Sequence, residues 1–370
     1  MKKNPARHWT YAVTGPVLAA LLIVFWYFNQ NYLADKKSAV VLLLENPILT
    51  FGFVTLGAFI SAFIFGEFGI KTPLTYEPLI YGLAGGLIMG TGATIAAMSV
   101  YSVVLFNLAG IFNLTAFMVT KGWVYAVFMI LGGFFGSKLL KFFTLKTARV
   151  KKDFFIPDEL MDKGVQRAVF YAILGLFVFF VVAILIFSKL GTPGKISFVF
   201  AVIFLSVFGA VAERGTICMS SMLKEWFISR SSYVWRSVLF TVMCLALFYQ
   251  AGIRLSLFGP ILLEKNISGA GFLMAGSFLM GFGFIFADGC FIGSLWKAGQ
   301  GNIINIAGIF GMLFGIGISQ AVIRATGLHP AAGPIPNYID AISGSTPFLV
   351  ILWVTGLVLL LVFKPQRYRY

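Results

Sequence analysis

Apolar runs of about twenty residues recur from one end of this chain to the other, and a lipid bilayer is the solvent that such recurrence fits. Spans are expected near 9–28, 48–67, 78–98, 114–140, 166–188, 194–213, 232–251, 269–288, 302–325 and 346–364. Apolar residues make up 59% of the chain and charged residues only 11%. A soluble chain carries roughly 25% charged residues. Forty-one Phe suit a lipid-facing surface, and 40 Gly let helices approach closely.

The formal charge of +15 does not point to nucleic acid, because the basic residues lie mainly between the apolar runs. That is the pattern of the positive-inside rule. The richest basic loop, from Lys138 to Arg167, includes Lys146, Arg149, Lys151, Lys152 and Lys163. It is expected in the cytoplasm, together with the basic N-terminus and the tail "KPQRYRY". Ten crossings satisfy all three placements. The first run follows Lys2, Lys3 and Arg7 with no clear cleavage site behind it, so it is read as a retained helix. The chain divides into residues 1–140, a basic cytoplasmic loop 141–165, and residues 166–370.

Two pieces of about a dozen residues, 100–112 ("VYSVVLFNLAGIF") and 290–301 ("CFIGSLWKAGQG"), are too short to span. Such lengths suit re-entrant half helices, which membranes accept only where protein or a water-filled cavity covers them. Each follows a similar segment. "GGLIMGTGATIAAMS" (85–99) lies over "GSFLMGFGFIFADGC" (276–290) at a constant offset of 191 positions. Gly85 then falls on Gly276, Met89 on Met280, Gly90 on Gly281, Gly92 on Gly283 and Ala96 on Ala287. Five crossings separate the copies, so they are expected to run in opposite directions, as in transporters built from inverted repeats. The expected fold is an all-α polytopic membrane protein of about ten transmembrane helices, with two inverted repeats and short re-entrant half helices.

The two copies end differently. The first finishes Ala97-Met98-Ser99, the second Asp288-Gly289-Cys290. Gly289 permits a tight turn or a close approach. Cys290 would start the half helix, where N–H groups and the helix dipole favour an anion. A soft sulfur there suits a soft, negatively charged substrate; the plainer reading is a small buried hydrophobe. Two readings stand for Asp288: a residue at the cytoplasmic interface, or one paired with Lys297 or Arg214 along a pathway.

A second constellation, "GAVAERGTICMSSMLKEW" (209–226), ends the sixth span. Glu213 and Arg214 are adjacent, Gly215 allows a break, and Cys218, Ser220 and Ser221 follow. Arg with backbone N–H groups and hydroxyls suits an oxyanion. The alternative is a positive-inside flank that takes in Lys224 and Arg230. Cys244 has no polar neighbour close by and reads as packing. Trp296, Trp226 and Trp235 read as interfacial anchors, with Trp296 alternatively walling the pathway. Gln300 and Asn302 either donate hydrogen bonds there or cap the next helix. His8 and His329 are far apart and make no metal cluster, and the three cysteines form no CxxC pair, so no metal, cofactor or enzymatic chemistry is expected.

These residues resemble the YeeE/YedE sulfur-transport family. "GFGFIFADGCFIGSLWKAGQGN" is similar to that family's second Gly-Gly-Cys signature, in which a G-x-G helix ends in A-G-G-C and runs into an A-G-E-G stretch. "AERGTICMSS" is similar to its Arg…Cys motif, and "FISAFIFGEFGIKTPLTYEPLIYGLAGGLIMGTGATIAAM" resembles the first-half region. The similarity covers about residues 48–325. It implies an inner-membrane importer of thiosulfate or a related sulfur or selenium compound, with cysteines that hand the substrate through by transient contacts. Cys290 and Cys218 take the family's second-half cysteine positions. Ser99 stands where the first-half signature has its cysteine, Asp288 replaces the first glycine of the second, and Gln300 replaces the glutamate of A-G-E-G. Candidate substrate-binding residues are thus Cys290, Cys218, Asp288, Gly289, Ser99, Arg214 and Lys297. The expected partners are a small sulfur-containing anion, the bilayer and a cytoplasmic sulfur-carrier protein. A membrane thiol protein that relays sulfane sulfur is the alternative.

Overall fold

The computed structural model describes residues 9, 11–32, 47–71, 73, 76–97, 122–147, 163–187, 192–224, 227, 233–256, 270–326, 354 and 358. Eleven helices run through them: α1 (Tyr11–Tyr32), α2 (Pro47–Ile64), α3 (Glu77–Ala97), α4 (Gly122–Thr147), α5 (Lys163–Phe187), α6 (Thr192–Arg214), α7 (Met219–Lys224), α8 (Tyr233–Arg254), α9 (Ala270–Phe286), α10 (Phe291–Gly299) and α11 (Ile303–Thr326). Nine of the ten expected spans fall on helices; the tenth, 346–364, lies outside the described residues apart from 354 and 358. So do the short piece 100–112, Ser99 and most of the 141–165 loop. Four segments are long and apolar enough to cross a membrane: Glu77–Ala96, Phe198–Lys224, Gly271–Gly299 and Ile303–Thr326. The chain is a mostly helical, multi-pass membrane protein. Large apolar side chains remain on outer helix faces, as Phe310, Phe314, Ile318 and Val322 do along α11. Their four-residue spacing makes one lipid-facing stripe.

Glycines set the central packing. The helices α3 and α9 cross with backbones nearly touching. A Cβ on Gly85 would meet Ala287 N at 2.3 Å, and one on Gly92 would meet Gly276 O at 2.6 Å. The early part of α3 thus faces the late part of α9, and the two run antiparallel. The contacts come in exchanged pairs. Gly276 meets Ala96 as Gly85 meets Ala287, and Gly283 meets Met89 as Gly92 meets Met280. The flanking helices repeat the relation. Gly90 of α3 lies against Met312 O of α11, and Gly281 of α9 lies against Met129 O of α4. Gly315 of α11 meets Leu87 O, while Gly132 of α4 meets Phe278 O. With lipid on the outside there is little hydrophobic drive between helices, so this close contact of small residues is what holds them together.

On the other side α2 packs on α6 and α1 on α8, while the short α10 is walled by α2, α6 and α11. A loop after α2 fixes the end of α10: Gly69 N–H donates to Gln300 O and Lys71 N–H to Gly301 O. This places α10 inside the protein, with every residue buried except Lys297.

Candidate functional site

Two helix breaks build the site. At the first, α6 stops at Arg214. Thr216 N–H donates to Glu213 O (3.1 Å) and Ile217 N–H to Ala212 O (3.2 Å), the paired bonds of a Schellman end. Such an end needs a left-handed residue, and here it is Thr216 at φ 50. Gly215, expected to allow the break, is needed for a close approach instead: a Cβ there would meet Thr14 Cγ2 at 2.0 Å. Cys218 follows and its carbonyl accepts from Met222 N, starting α7.

At the second break, α9 stops at Phe286 and Asp288 takes the left-handed position at φ 55. The turn therefore rests on Asp288, and Gly289 serves a close approach: its Cβ would meet Ser294 Oγ at 2.5 Å and Asn305 Oδ1 at 2.8 Å. Cys290 is the N-cap of α10, and its Sγ accepts the Gly293 N–H at 3.3 Å. Serine oxygens usually do this work; the sulfur does it here.

The breaks meet. Both Sγ atoms crowd the bare face of Gly293, where a Cβ would lie 2.3 Å from Cys218 and 3.3 Å from Cys290. The two thiols thus lie close together, with Met219 and Ser221 beside them. Both are free and buried. Cys244 is also free and buried, away from this cluster on α8.

Charges sort into two groups around the thiols. Glu213 is wholly buried and accepts from Ser61 Oγ (2.6 Å), Arg214 Nε (2.7 Å), Arg214 NH2 (2.8 Å) and Gln300 Nε2 (2.8 Å). Arg214 also pairs with Glu67 at 2.7 Å and lies 4.1 Å over the Phe65 ring. One buried group thus ties α2, α6 and the end of α10 together. Asp288 is different. Its side chain is 43% exposed and is held between Lys224 (2.6 Å) and Lys297 (3.4 Å), and Lys297 also donates to its backbone carbonyl. Two cations and one anion leave a net positive charge beside the sulfurs.

Five expected site residues, Cys218, Cys290, Asp288, Gly289 and Lys297, come together. Arg214 sits at the same break but turns to Glu213 and Glu67, so of the two partners weighed for Asp288 it is Lys297 that pairs with it. Ser99 lies outside the described residues. Lys224 was read as part of a flank, yet it is the closer partner of Asp288; a separation of 64 positions hides the pair from any local spacing. Ser61 and Glu67 carried no signal for the same reason. Trp296 is buried and its indole N–H donates to Ile217 O at 3.0 Å, a packed position and not that of an interfacial anchor. Asn302 caps α11 through Ile304 N–H (3.1 Å).

The family model described as "Sulphur transport" matches residues 214–369. A "Probable transporter YedE" of Escherichia coli K12 is 25% identical over 251 residues, which are 67% of this chain and 58% of that protein. Its Salmonella typhimurium namesake is 24% identical over 250 residues, again 67% of this chain and 58% of the relative. This chain thus spans under two thirds of these relatives' length. A "Thiosulfate transporter TsuA" of Spirochaeta thermophila is 27% identical over 115 residues, 30% of this chain and 32% of that protein. No solved structure matches. The matched region opens at Arg214 and takes in Cys218, Asp288, Gly289, Cys290 and Lys297, so the residues of both breaks lie in the part of the chain that is similar to the sulfur-transport family and to these transporters.

Proposed function

We propose that this protein carries a small sulfur-containing anion, thiosulfate or a close analogue, inward across the cytoplasmic membrane, as a transporter and not as an enzyme. The observation that carries the reading is the pairing of Cys218 and Cys290 at the start of a buried half helix, beside two lysines that share one carboxylate. The sulfurs offer soft contacts to a soft anion. Lys224 and Lys297 offset the loss of hydration that an anion suffers on entering the protein. The start of α10 adds a helix-dipole end that favours negative charge. Asp288, Gly289 and Lys297 are read as part of this substrate site, while Arg214 acts behind it by holding Glu213 and Glu67.

The exchanged contacts of α3 with α9, and of their flanking helices, support two inverted repeats of opposite direction. In that arrangement α10 is the re-entrant half helix of the second repeat, and the segment after α3 that begins at Ser99 is its counterpart. Its hydroxyl would hydrogen-bond an oxyanion on the outer side, and the two thiols would receive it on the inner side. The termini and the 141–165 loop face the cytoplasm.

Uptake of labelled thiosulfate into proteoliposomes tests the reading, with sulfate and selenium compounds as competitors. Cys290→Ala is expected to abolish uptake and Cys244→Ala to leave it intact. Normal uptake by a well-expressed Cys290→Ala protein overturns the mechanism. The contact between the two thiols also favours a second reading, in which they relay sulfane sulfur to a cytoplasmic carrier protein. A persulfide trapped on Cys218 or Cys290 without net transport selects that one.

A further inference from the structure

Three polar atoms next to the thiols have no use in the account so far. Ser294 Oγ and both side-chain polar atoms of Asn305 are buried and have no hydrogen-bond partner among the described residues. Both residues are wholly buried. Unpartnered polar atoms at such depth are rare in folded proteins, and where they occur they need a reason such as a ligand. Ser220 on the neighbouring α7 does find a partner, donating to Phe284 O, whereas Ser137 on α4 and Ser319 on α11 are, like Ser294, buried without one among the described residues.

Ser294 and Asn305 converge on one point. Ser294 Oγ, Asn305 Oδ1 and Ser294 N all lie 2.5–2.8 Å from where a Gly289 Cβ would be. That point is at the first turn of α10, where Gly293 N–H and Ser294 N–H are taken by Cys290 Sγ and Cys290 O and the positive end of the helix dipole remains. The hydroxyl supplies one donor and the amide two, and a half-turn of the amide presents its NH2 group to the same place. Lys297 stands three positions along α10 from Ser294, which adds a cation at the same break. Donors, a dipole end and a cation suit a negatively charged oxygen ligand.

We propose that Asn305 and Ser294 hold the oxygen end of the anion whose sulfur end contacts Cys218 and Cys290, an inference that rests on the transport reading above. Gly289 faces the hard donors and Gly293, four positions on, faces the two sulfurs, so one turn of backbone carries both kinds of contact. The ligand class this selects is a sulfur-substituted oxyanion of the thiosulfate type. Sulfate lacks the soft end, and hydrosulfide lacks the oxygens.

The experiment uses the full chain in nanodiscs, titrated with thiosulfate by calorimetry and followed by thermal unfolding with and without the anion. Asn305→Leu and Ser294→Ala are each expected to weaken thiosulfate binding at least tenfold and to abolish the rise in Tm that thiosulfate gives the parent protein. Asn305→Asp, which keeps the shape but adds a negative charge, is expected to lose binding altogether. If Asn305→Leu and Ser294→Ala lower Tm in the absence of anion yet bind thiosulfate within twofold of the parent, the pair is structural and the proposal is overturned. If Asn305→Leu does not fold, Ser294→Ala and Asn305→Ser decide by the same criteria. Failure of the transport reading looks different: the unaltered protein itself neither binds nor takes up thiosulfate, and both inferences fall.

Discussion

The breaks at 214–218 and 286–290 share one design and use it for opposite ends. Each places a left-handed residue two positions before a cysteine, Thr216 before Cys218 and Asp288 before Cys290, and each cysteine then opens a short helix. Elsewhere among the described residues the left-handed position falls on Gly66 at the end of α2 (φ 69), Gly301 at the end of α10 (φ 89) and Ser256 after α8 (φ 55). What differs between the breaks is the charge. At the first, Glu213 and Arg214 are sealed inside, with every oxygen of Glu213 answered by Ser61, Arg214 or Gln300. At the second, Asp288 is partly exposed and outnumbered by lysines. Satisfied buried charge fixes geometry. Exposed, unevenly matched charge leaves attraction for a passing anion. In the proposed reading the first break is a clamp and the second a receiving surface, with one thiol contributed by each.

The largest effect expected from this contrast falls on the clamp. Arg214→Leu leaves Glu213 and Glu67 without their cation inside the protein. Removing one member of a buried pair costs about 3–5 kcal/mol. The variant should lose most of its folded yield and unfold well below the parent, by thermal unfolding in detergent, whereas Lys224→Leu at the second break should move stability by less than about 1 kcal/mol, since that pair is partly exposed. Equal losses for the two would erase the distinction between clamp and surface.

Next comes the junction itself. Gly293→Ala drives a methyl into Cys218 Sγ, 2.3 Å from its ideal position, and toward Cys290. Overpacking of this kind costs about 1–3 kcal/mol. The functional loss should exceed the structural one, because the two thiols are forced apart: thiosulfate uptake should fall at least tenfold in protein that still folds. Gly175→Ala, where a Cβ meets nothing within 4 Å, is the control and should be silent.

Asp288→Gly acts on the receiving surface alone. It frees Lys224, leaves Lys297 held by the residue-288 carbonyl and relieves a left-handed aspartate, so stability should change by less than about 1 kcal/mol. Thiosulfate should bind more tightly, because the internal carboxylate no longer competes for Lys224 and Lys297. Titration of the purified variant checks the sign, and weaker binding would show that Asp288 orients the lysines instead of competing with the substrate.

Much of this was legible in the chain. Nine helix positions follow from apolar length alone, since a bilayer demands internal hydrogen bonding over a fixed distance, and four segments among the described residues are long and apolar enough to cross. The G-x-G register of 85–92 and 276–283 was visible because close helix contact restricts those positions to the smallest residues. Cys290 at the head of α10 followed from "DGC" after an apolar run. The partnerships were not legible. Ser61 with Glu213 and Lys224 with Asp288 join positions 152 and 64 apart in sequence. The role of Gly215 was misread for a related reason, while of the two readings for Gly289 it is the close approach that holds. The left-handed turn falls on Thr216 and Asp288, while Gly215 and Gly289 answer to neighbours on α1 and α11 that no local pattern names.

The smallest expected effect tests whether the shared turn is itself under strain. A β-branched residue at positive φ is a true outlier, because its side chain crowds the backbone. An aspartate tolerates the region better. Thr216→Gly should therefore stabilise the protein, by up to about 1 kcal/mol: the strain of about 1–2 kcal/mol is relieved, while the more flexible unfolded chain takes back about 0.4–1 kcal/mol. Gly66→Ala, at the same position of the α2 end, should do the reverse by a similar amount, even though a Cβ there meets nothing within 4 Å. Thermal unfolding of both variants against the parent separates conformational strain from packing. Should Thr216→Gly instead destabilise, the threonine is holding the first break through a side-chain contact, and the Cys218 end of the thiol pair depends on that contact as much as on the turn.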